Sequence, residues 1–218
     1  IPPGYKYSDT QIVGFSVNHL NGAGCPAQRD FPLTPIVGDV DPEATLGFDH
    51  QHELASPGLY EVQLDSGVTV DLTATQRTGM ARFRFPKVRD VHLLLRSAMP
   101  WDLLVAKDAS LQVVSPTLVT GWRMDAFCAM GVPTKIYFAA RFDRPFAAKS
   151  MGTADETATR VDGIRGGLVL SFSAEQKPLV SVKIGLSSVS VEGALRNQDA
   201  ENPDWDFGKK KKKTLQSW

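Results

Sequence analysis

Residues 59–74 read LYEVQLDSGVTVDLTA, and no other stretch limits the fold as strongly. In the first half Tyr60, Val62 and Leu64 fall on one face, with Leu59, Glu61 and Gln63 on the other. Asp65-Ser66-Gly67 then supplies a turn. After it Val68, Val70 and Leu72 alternate with Thr69, Asp71 and Thr73. Period-two alternation on both sides of a glycine turn is a β-hairpin with one face buried. Phe83 and Phe85 continue the alternation over 82–85 as far as Pro86. Similar runs lie at 91–95, 111–114, 119–123, 134–141, 167–172 and 179–186, with Gly, Pro, Asp or Ser between most of them. This pattern predicts an all-β fold, a large β-sandwich of two packed, mainly antiparallel sheets with little helix.

The 218 residues suffice for one such domain with a substantial core. Helix is expected only at 192–200 and at the basic C-terminal end, where Leu215 and Trp218 are three apart. Residues 146–165 are rich in small and polar side chains and read as a long exposed loop. The chain divides into a sandwich domain over 1–207 and a short basic segment over 208–218 that links onward or starts a helix.

Charge excludes some functions. Lys plus Arg and Asp plus Glu number 24 each, so no global field favours nucleic acid or an anionic membrane. The run from Lys209 to Lys213 is the exception; a polyanion-binding patch is one reading and a solvated helix face the simpler one. No apolar run reaches the ~18 residues that span a bilayer. No basic start precedes an apolar stretch, so no signal peptide is expected within these residues. It opens on Ile1 rather than Met and is expected to be a processed or excised piece. Cys25 and Cys128 make neither a disulfide framework nor a CxxC zinc pair. Two buried free thiols are expected, with a single bridge as the alternative.

Candidate chemistry concentrates in residues 11–25. Here the apolar Ile12-Val13-Gly14-Phe15 breaks into Ser16, Asn18, His19, Asn21, Gly22, Gly24 and Cys25. His19 beside Ser and Asn reads more readily as a satisfied structural group than as a metal ligand. Cys25 with His19 as a nucleophile pair lacks any surrounding hydrolase signature. Gly22 and Gly24 suggest a turn with free backbone N–H groups, but no helix follows to make a phosphate loop. His50 and His52 are two apart and would share one face of a strand, where an ion site with Asp49 or Glu53 is the lesser reading because no further partner supports it. His92 is expected to be packed. Asp199, Glu201, Asp204 and Asp206 are the nearest thing to paired carboxylates, although a solvated turn around Pro203 is the favoured reading. Trp101, Trp122, Trp205 and Trp218 suit either sugar stacking or packing.

Several blocks together resemble the amino-terminal β-sandwich domain of the family 92 glycoside hydrolases, the exo-α-mannosidases. They are Gly4-Tyr5-Lys6-Tyr7-Ser8-Asp9, then Ile12-Val13-Gly14-Phe15-Ser16, His19-Leu20-Asn21-Gly22-Ala23-Gly24-Cys25 and Asp30-Phe31-Pro32. His52-Glu53-Leu54-Ala55-Ser56-Pro57-Gly58-Leu59-Tyr60 follows, then Leu72-Thr73-Ala74-Thr75, Arg77-Thr78-Gly79 and Arg82-Phe83-Arg84-Phe85-Pro86. The last are Val182-Lys183-Ile184-Gly185-Leu186-Ser187-Ser188-Val189-Ser190-Val191-Glu192 and Pro203-Asp204-Trp205-Asp206-Phe207. They keep the family's order along nearly the whole chain. Two departures stand out: Arg29-Asp30 where the family has Gly-Asp, and Glu192-Gly193 where it has Glu-Asn.

The resemblance implies a secreted or periplasmic, calcium-dependent enzyme that removes terminal α-mannose with inversion during glycan degradation. It also places the general acid, the general base and the Ca2+ ligands in a following helical domain. On that basis no catalytic residue and no metal ligand is expected in this chain, and the chain alone is expected to be inactive. Its partners would be α-mannoside glycans and the helical catalytic domain of the same polypeptide, with neither nucleic acid nor membrane. Asn18, His19, Gly24 and Cys25 are the candidate wall of the sugar pocket. A stand-alone carbohydrate-binding module and a purely structural interaction domain are the alternatives.

Overall fold

The computed structural model describes residues 6–18, 31–99, 105–126 and 131–217. The hairpin forms where the alternation places it, as β4 (Leu59–Leu64) and β5 (Thr69–Ala74), with Val62↔Val70 in register. It lies within a sheet that also contains β1 (Gln11–Ile12), β3 (Leu46–Ser56), β6 (Thr78–Arg84), β8 (Ala106–Ser115), β9 (Leu118–Ala126), β10 (Pro133–Phe142), β12 (Arg160–Asp162) and β14 (Leu179–Ser187). The order is β1-β3-β4-β5-β6-β14-β10-β9-β8-β12, with every neighbouring pair antiparallel. A smaller antiparallel sheet runs β11 (Ala147–Met151), β13 (Gly167–Phe172), β7 (Val91–Arg96), β2 (Leu33–Val37). The expected all-β sandwich is the fold observed.

The core is the space between the sheets. Val62, Val70, Phe83, Phe138 and Val182 of the large sheet meet Leu33, Leu93, Leu95, Leu168 and Leu170 of the small one. Each such side chain taken fully from water contributes about 1.5–3 kcal/mol. Rings join the layers, with Phe31 against Phe138 at 3.9 Å between centroids.

The 146–165 stretch departs from expectation. It holds β11 and β12, and Ser150 and Val161 are buried. β11 zips onto β13 from Ala147↔Ser171 to Met151↔Gly167, a long-range pairing that its own small, polar residues do not announce. β2 was likewise obscured by Pro35, which is tolerated because β2 lies at a sheet edge.

The outer face of the large sheet is covered too, which explains why Asp71 and Thr73 are buried despite their polar alternation. Helix α1 (Val191–Glu201) crosses β14, and α2 (Phe207–Gln216) packs on β5. Ser190 caps α1 by accepting from the Gly193 N–H at 3.0 Å, and Asp206 caps α2 by accepting from the Lys209 N–H at 2.9 Å. The basic run is therefore helical. Phe207, Lys210 and Thr214 form its buried face, while Lys209, Lys211, Lys212 and Lys213 are exposed. Gly193 lets the first turn of α1 sit against the end of β14, since a Cβ there would lie 2.6 Å from Ser187 Oγ.

Gly185 controls how closely α1 approaches the sheet. A Cβ on it would lie 2.2 Å from the Ala194 carbonyl oxygen. The helix has no slack there, because Gln198 donates to the Ala139 and Lys183 carbonyls at 3.1 and 2.7 Å. Gly185→Ala is expected to cost about 1–3 kcal/mol by overpacking, read as a lower denaturant midpoint with unchanged slope. An unchanged midpoint would show that α1 can move away.

Candidate functional site

One end of the sandwich gathers most of the connections of interest. Ser56↔Leu59, Ala74↔Gly79, Tyr137↔Ser187 and Ala106↔Asp125 are all pairings at that end of the large sheet. The segment before residue 19 arrives there as well. Phe15 exchanges backbone hydrogen bonds with Leu33 and packs edge-on against Phe83, and Val17 lies over Gly79. Ser16 Oγ donates to the Asn18 carbonyl at 2.9 Å, tightening the stem of the 18–25 stretch. Asn18 is half-buried at its tip. His19, Gly24 and Cys25 lie outside the described residues, as do Cys128, Trp101, Trp218 and the Arg29-Asp30 departure.

Beside this stem is a cavity of about 830 Å³. It wraps round the ends of the β3–β4 and β5–β6 hairpins. Val17, Leu59, Leu72 and Phe83 line its inner side, and Lys213 and Ser217 of the last turn around α2 line its outer side.

Glu201 fixes the rim. Its carboxylate accepts from Thr75 Oγ1 at 2.5 Å, from the Arg77 N–H at 3.0 Å and from Arg77 Nε at 2.7 Å. Burial pushes its pKa up, but the bonds to Thr75 and Arg77 outweigh this and hold it below its ordinary value. No local pattern reveals this latch, whose partners are 124 and 126 residues apart. The rest of the acidic cluster disperses. Asp199 meets Arg141 at 2.5 Å, Asp204 meets Lys209 at 3.0 Å, and Asp206 caps α2. These carboxylates serve as braces with separate partners, and the turn reading replaces the paired-acid one.

The histidine pair separates as well. His50 Nδ1 lies 2.7 Å from Glu53 Oε2, its ring stacks on Tyr7 at 4.3 Å, and Tyr60 donates to Glu53 Oε1 at 2.7 Å. His52 is exposed, and the register shift between Phe48 and Glu53 breaks the regular alternation. Among the described residues no three His, Cys, Asp or Glu side chains gather as a metal site. His92 is packed as expected, with Nδ1 2.8 Å from Ser171 Oγ; burial pushes its pKa down against the pull of Asp90. Trp122 lies beneath Lys135 Nζ, 3.7 Å from the ring centroid, and Trp205 beneath Lys183 Nζ at 4.5 Å.

A further pair had a readable signal that was passed over. Arg123 and Asp125, two apart on β9, share one face; Arg123 is 1% exposed and its Nε meets Asp125 Oδ1 at 2.7 Å. They stand at the end of β9, where Ala126 donates to the Val105 carbonyl at 2.8 Å.

Comparison with known proteins assigns this arrangement to a class. The model of the glycosyl hydrolase family 92 N-terminal domain matches residues 2–187, and the chain belongs to that family. It is similar to a family GH92 α-mannosidase of Bacteroides thetaiotaomicron, with TM-score 0.88 and 26% identity over 99% of this chain and 32% of that one. A family GH92 inverting mannosidase of the same organism gives TM-score 0.80 at 22% identity over 98% of this chain and 29% of that one, which supports the fold. An uncharacterized secreted glycosidase of Arthroderma benhamiae is 23% identical over 99% of this chain and 32% of its own length. The chain thus spans about a third of the relatives it matches. No helix among the described residues is long and apolar enough to cross a membrane.

The Glu201 latch makes stability depend on pH. Its depressed pKa contributes stability that is present above its ordinary value of 4.5 and is lost as pH falls through the folded value. Glu201→Gln is expected to lower stability at neutral pH by about 1.5–3 kcal/mol and to flatten the acid limb of a plot of unfolding free energy against pH. An equally steep acid limb in the variant would assign that limb to other groups.

Proposed function

We propose that this chain is the sandwich domain of a calcium-dependent, inverting exo-α-mannosidase. In that enzyme it would supply one wall of the sugar pocket and scaffold a helical catalytic domain of the same polypeptide. The observation that carries the reading is the 26% identity to an α-mannosidase along 99% of this chain. The convergence of the 13–18 stem with the hairpin ends supports it, because a wall presented on a rigid sheet end is held in place by the core beneath.

The division of labour follows from the chemistry. Inversion needs two carboxyl groups ~6.5–9.5 Å apart across the scissile bond. Those carboxylates and the Ca2+ ligands would be supplied by the catalytic domain. The part of this domain would be to hold the departing sugar. Asn18 and His19 offer a donor and an acceptor to sugar hydroxyls, and Gly24 before Cys25 allows close backbone approach. The relative named as secreted supports a secreted or periplasmic location for the whole enzyme.

The full-length enzyme is expected to release mannose from an aryl α-mannoside, to lose that activity on chelation and to regain it with Ca2+. Residues 1–218 alone are expected to show no turnover. His19→Ala in the full-length enzyme should lower kcat/KM about ten- to hundredfold, the loss of one or two hydrogen bonds in the transition state. Turnover by the isolated chain, or an unchanged kcat/KM in the variant, would refute the respective assignment.

A further inference from the structure

The 830 Å³ cavity is poorly suited to a sugar, although it opens at the end where the sugar wall is placed. A pyranose presents hydroxyls in every direction and needs matching groups that are not already engaged. Here most of those groups are spent within the protein. Glu201 holds Thr75 and Arg77, Thr75 Oγ1 pairs with Thr78 Oγ1 at 2.7 Å, and Thr214 Oγ1 donates to the Ala74 carbonyl at 2.8 Å. Ser217 Oγ donates to the Thr214 carbonyl at 2.7 Å, and Tyr60 OH to Glu53. Ser56, Gln76 and Lys213 are exposed, and the rest of the lining is apolar: Val17, Leu59, Leu72 and the ring of Tyr60 are half-buried round an open space that adjoins the core through Phe15 and Phe83. Half-buried core side chains beside a space of this size leave apolar surface that an apolar partner would remove from water, at about 25 cal/mol per Å².

Position identifies the partner. The last turn around α2, at Lys213, Thr214 and Ser217, forms part of the cavity wall. The family match ends at residue 187, so α1 and α2 follow the matched domain. The family is described as an N-terminal domain, and this chain covers 32% of the length of relatives. A segment that continues from α2 would start from the rim of this cavity, where Ser217 lies.

We infer that the cavity is a socket for an apolar side chain of the segment that follows α2 in the full-length enzyme, so that it joins the sandwich to the domain behind it. The inference rests on the proposed function and names the surface through which scaffolding acts. Lys213 and the exposed edge of Arg77 at the rim suit an acidic residue beside the apolar one.

Thiol labelling in the full-length enzyme tests it, read peptide by peptide so that Cys25 and Cys128 do not interfere. Leu72→Cys places a thiol on the socket wall, and Val114→Cys places one on β8 at a residue 56% exposed. With no sugar present and at low protein concentration, Cys at 72 should react with a maleimide at least about tenfold more slowly than Cys at 114, because a filled socket must open first. Comparable rates would overturn the socket. So would protection that appears only with added mannoside, which makes the cavity a sugar subsite, or only at high protein concentration, which makes the occupant a second copy. Leu59→Cys repeats the measurement should Leu72→Cys fold poorly. α-Mannosidase activity is measured in the same samples: its absence counts against the proposed function, whereas labelling alone decides the socket.

Discussion

Two buried ammonium groups hold the outer face of this domain together. Lys183 Nζ donates to the Asn202 carbonyl at 2.9 Å and lies over Trp205, and Lys210 Nζ donates to the Glu201 carbonyl. Both acceptors are at the C-terminal end of α1, where helical carbonyls lack intrahelical donors and the helix dipole is negative. One lysine comes from the sheet and the other from α2, so a single cluster of carbonyls binds three elements. Burying an ammonium is costly, and burial pushes both pKa values down; for Lys183 the positive charge of Arg141 adds to this, and for Lys210 that of Lys213. The arrangement is tolerable because α1 presents acceptors that would otherwise be unsatisfied. It adds to the other ties between helices and sheet, among them Gln198 on the Ala139 and Lys183 carbonyls and Glu201 on Thr75 and Arg77.

That cover explains which parts of the fold were legible. Where one face of a strand is buried and the other meets water, period two is written into the residues, and 59–64 coincides with β4. Where both faces are buried the code weakens. Asp71 looks like a solvent residue, yet it is buried with Arg82, which stacks its guanidinium 4.0 Å above Phe207. At β11 the strand pairs with β13, and nothing within Ala147–Met151 carries that information.

The candidate site was legible to a different degree. Residue types at 11–25 marked the stretch as chemically unusual, but assigning it to a sugar pocket came from the resemblance and not from spacing. The acidic residues near 200 show why spacing misleads. Four carboxylates within eight positions look like a cluster, yet a helix end and a turn send them to Arg141, to Arg77 with Thr75, to Lys209 and to a helix cap. For Glu201 and Asp204 these donors hold the pKa below its ordinary value, the opposite of what a general acid requires.

A sandwich end is well suited to be half of a composite site. Strand ends are fixed within small tolerances by register, so a loop rising from them inherits that precision without contributing chemistry of its own. At this end the stem at Phe15 and Val17 is tied to both sheets, to one through backbone bonds at Leu33 and to the other through Phe83 and Gly79. The Glu201 latch then locks the neighbouring β5–β6 turn to α1, and α1 is locked to α2 through Lys210. The stem at residues 15–17 and the two helices are therefore connected through the same sheet end. In the proposed enzyme a displacement of the catalytic domain would reach the stem through these contacts, which is the mechanical condition for two domains to share one active site.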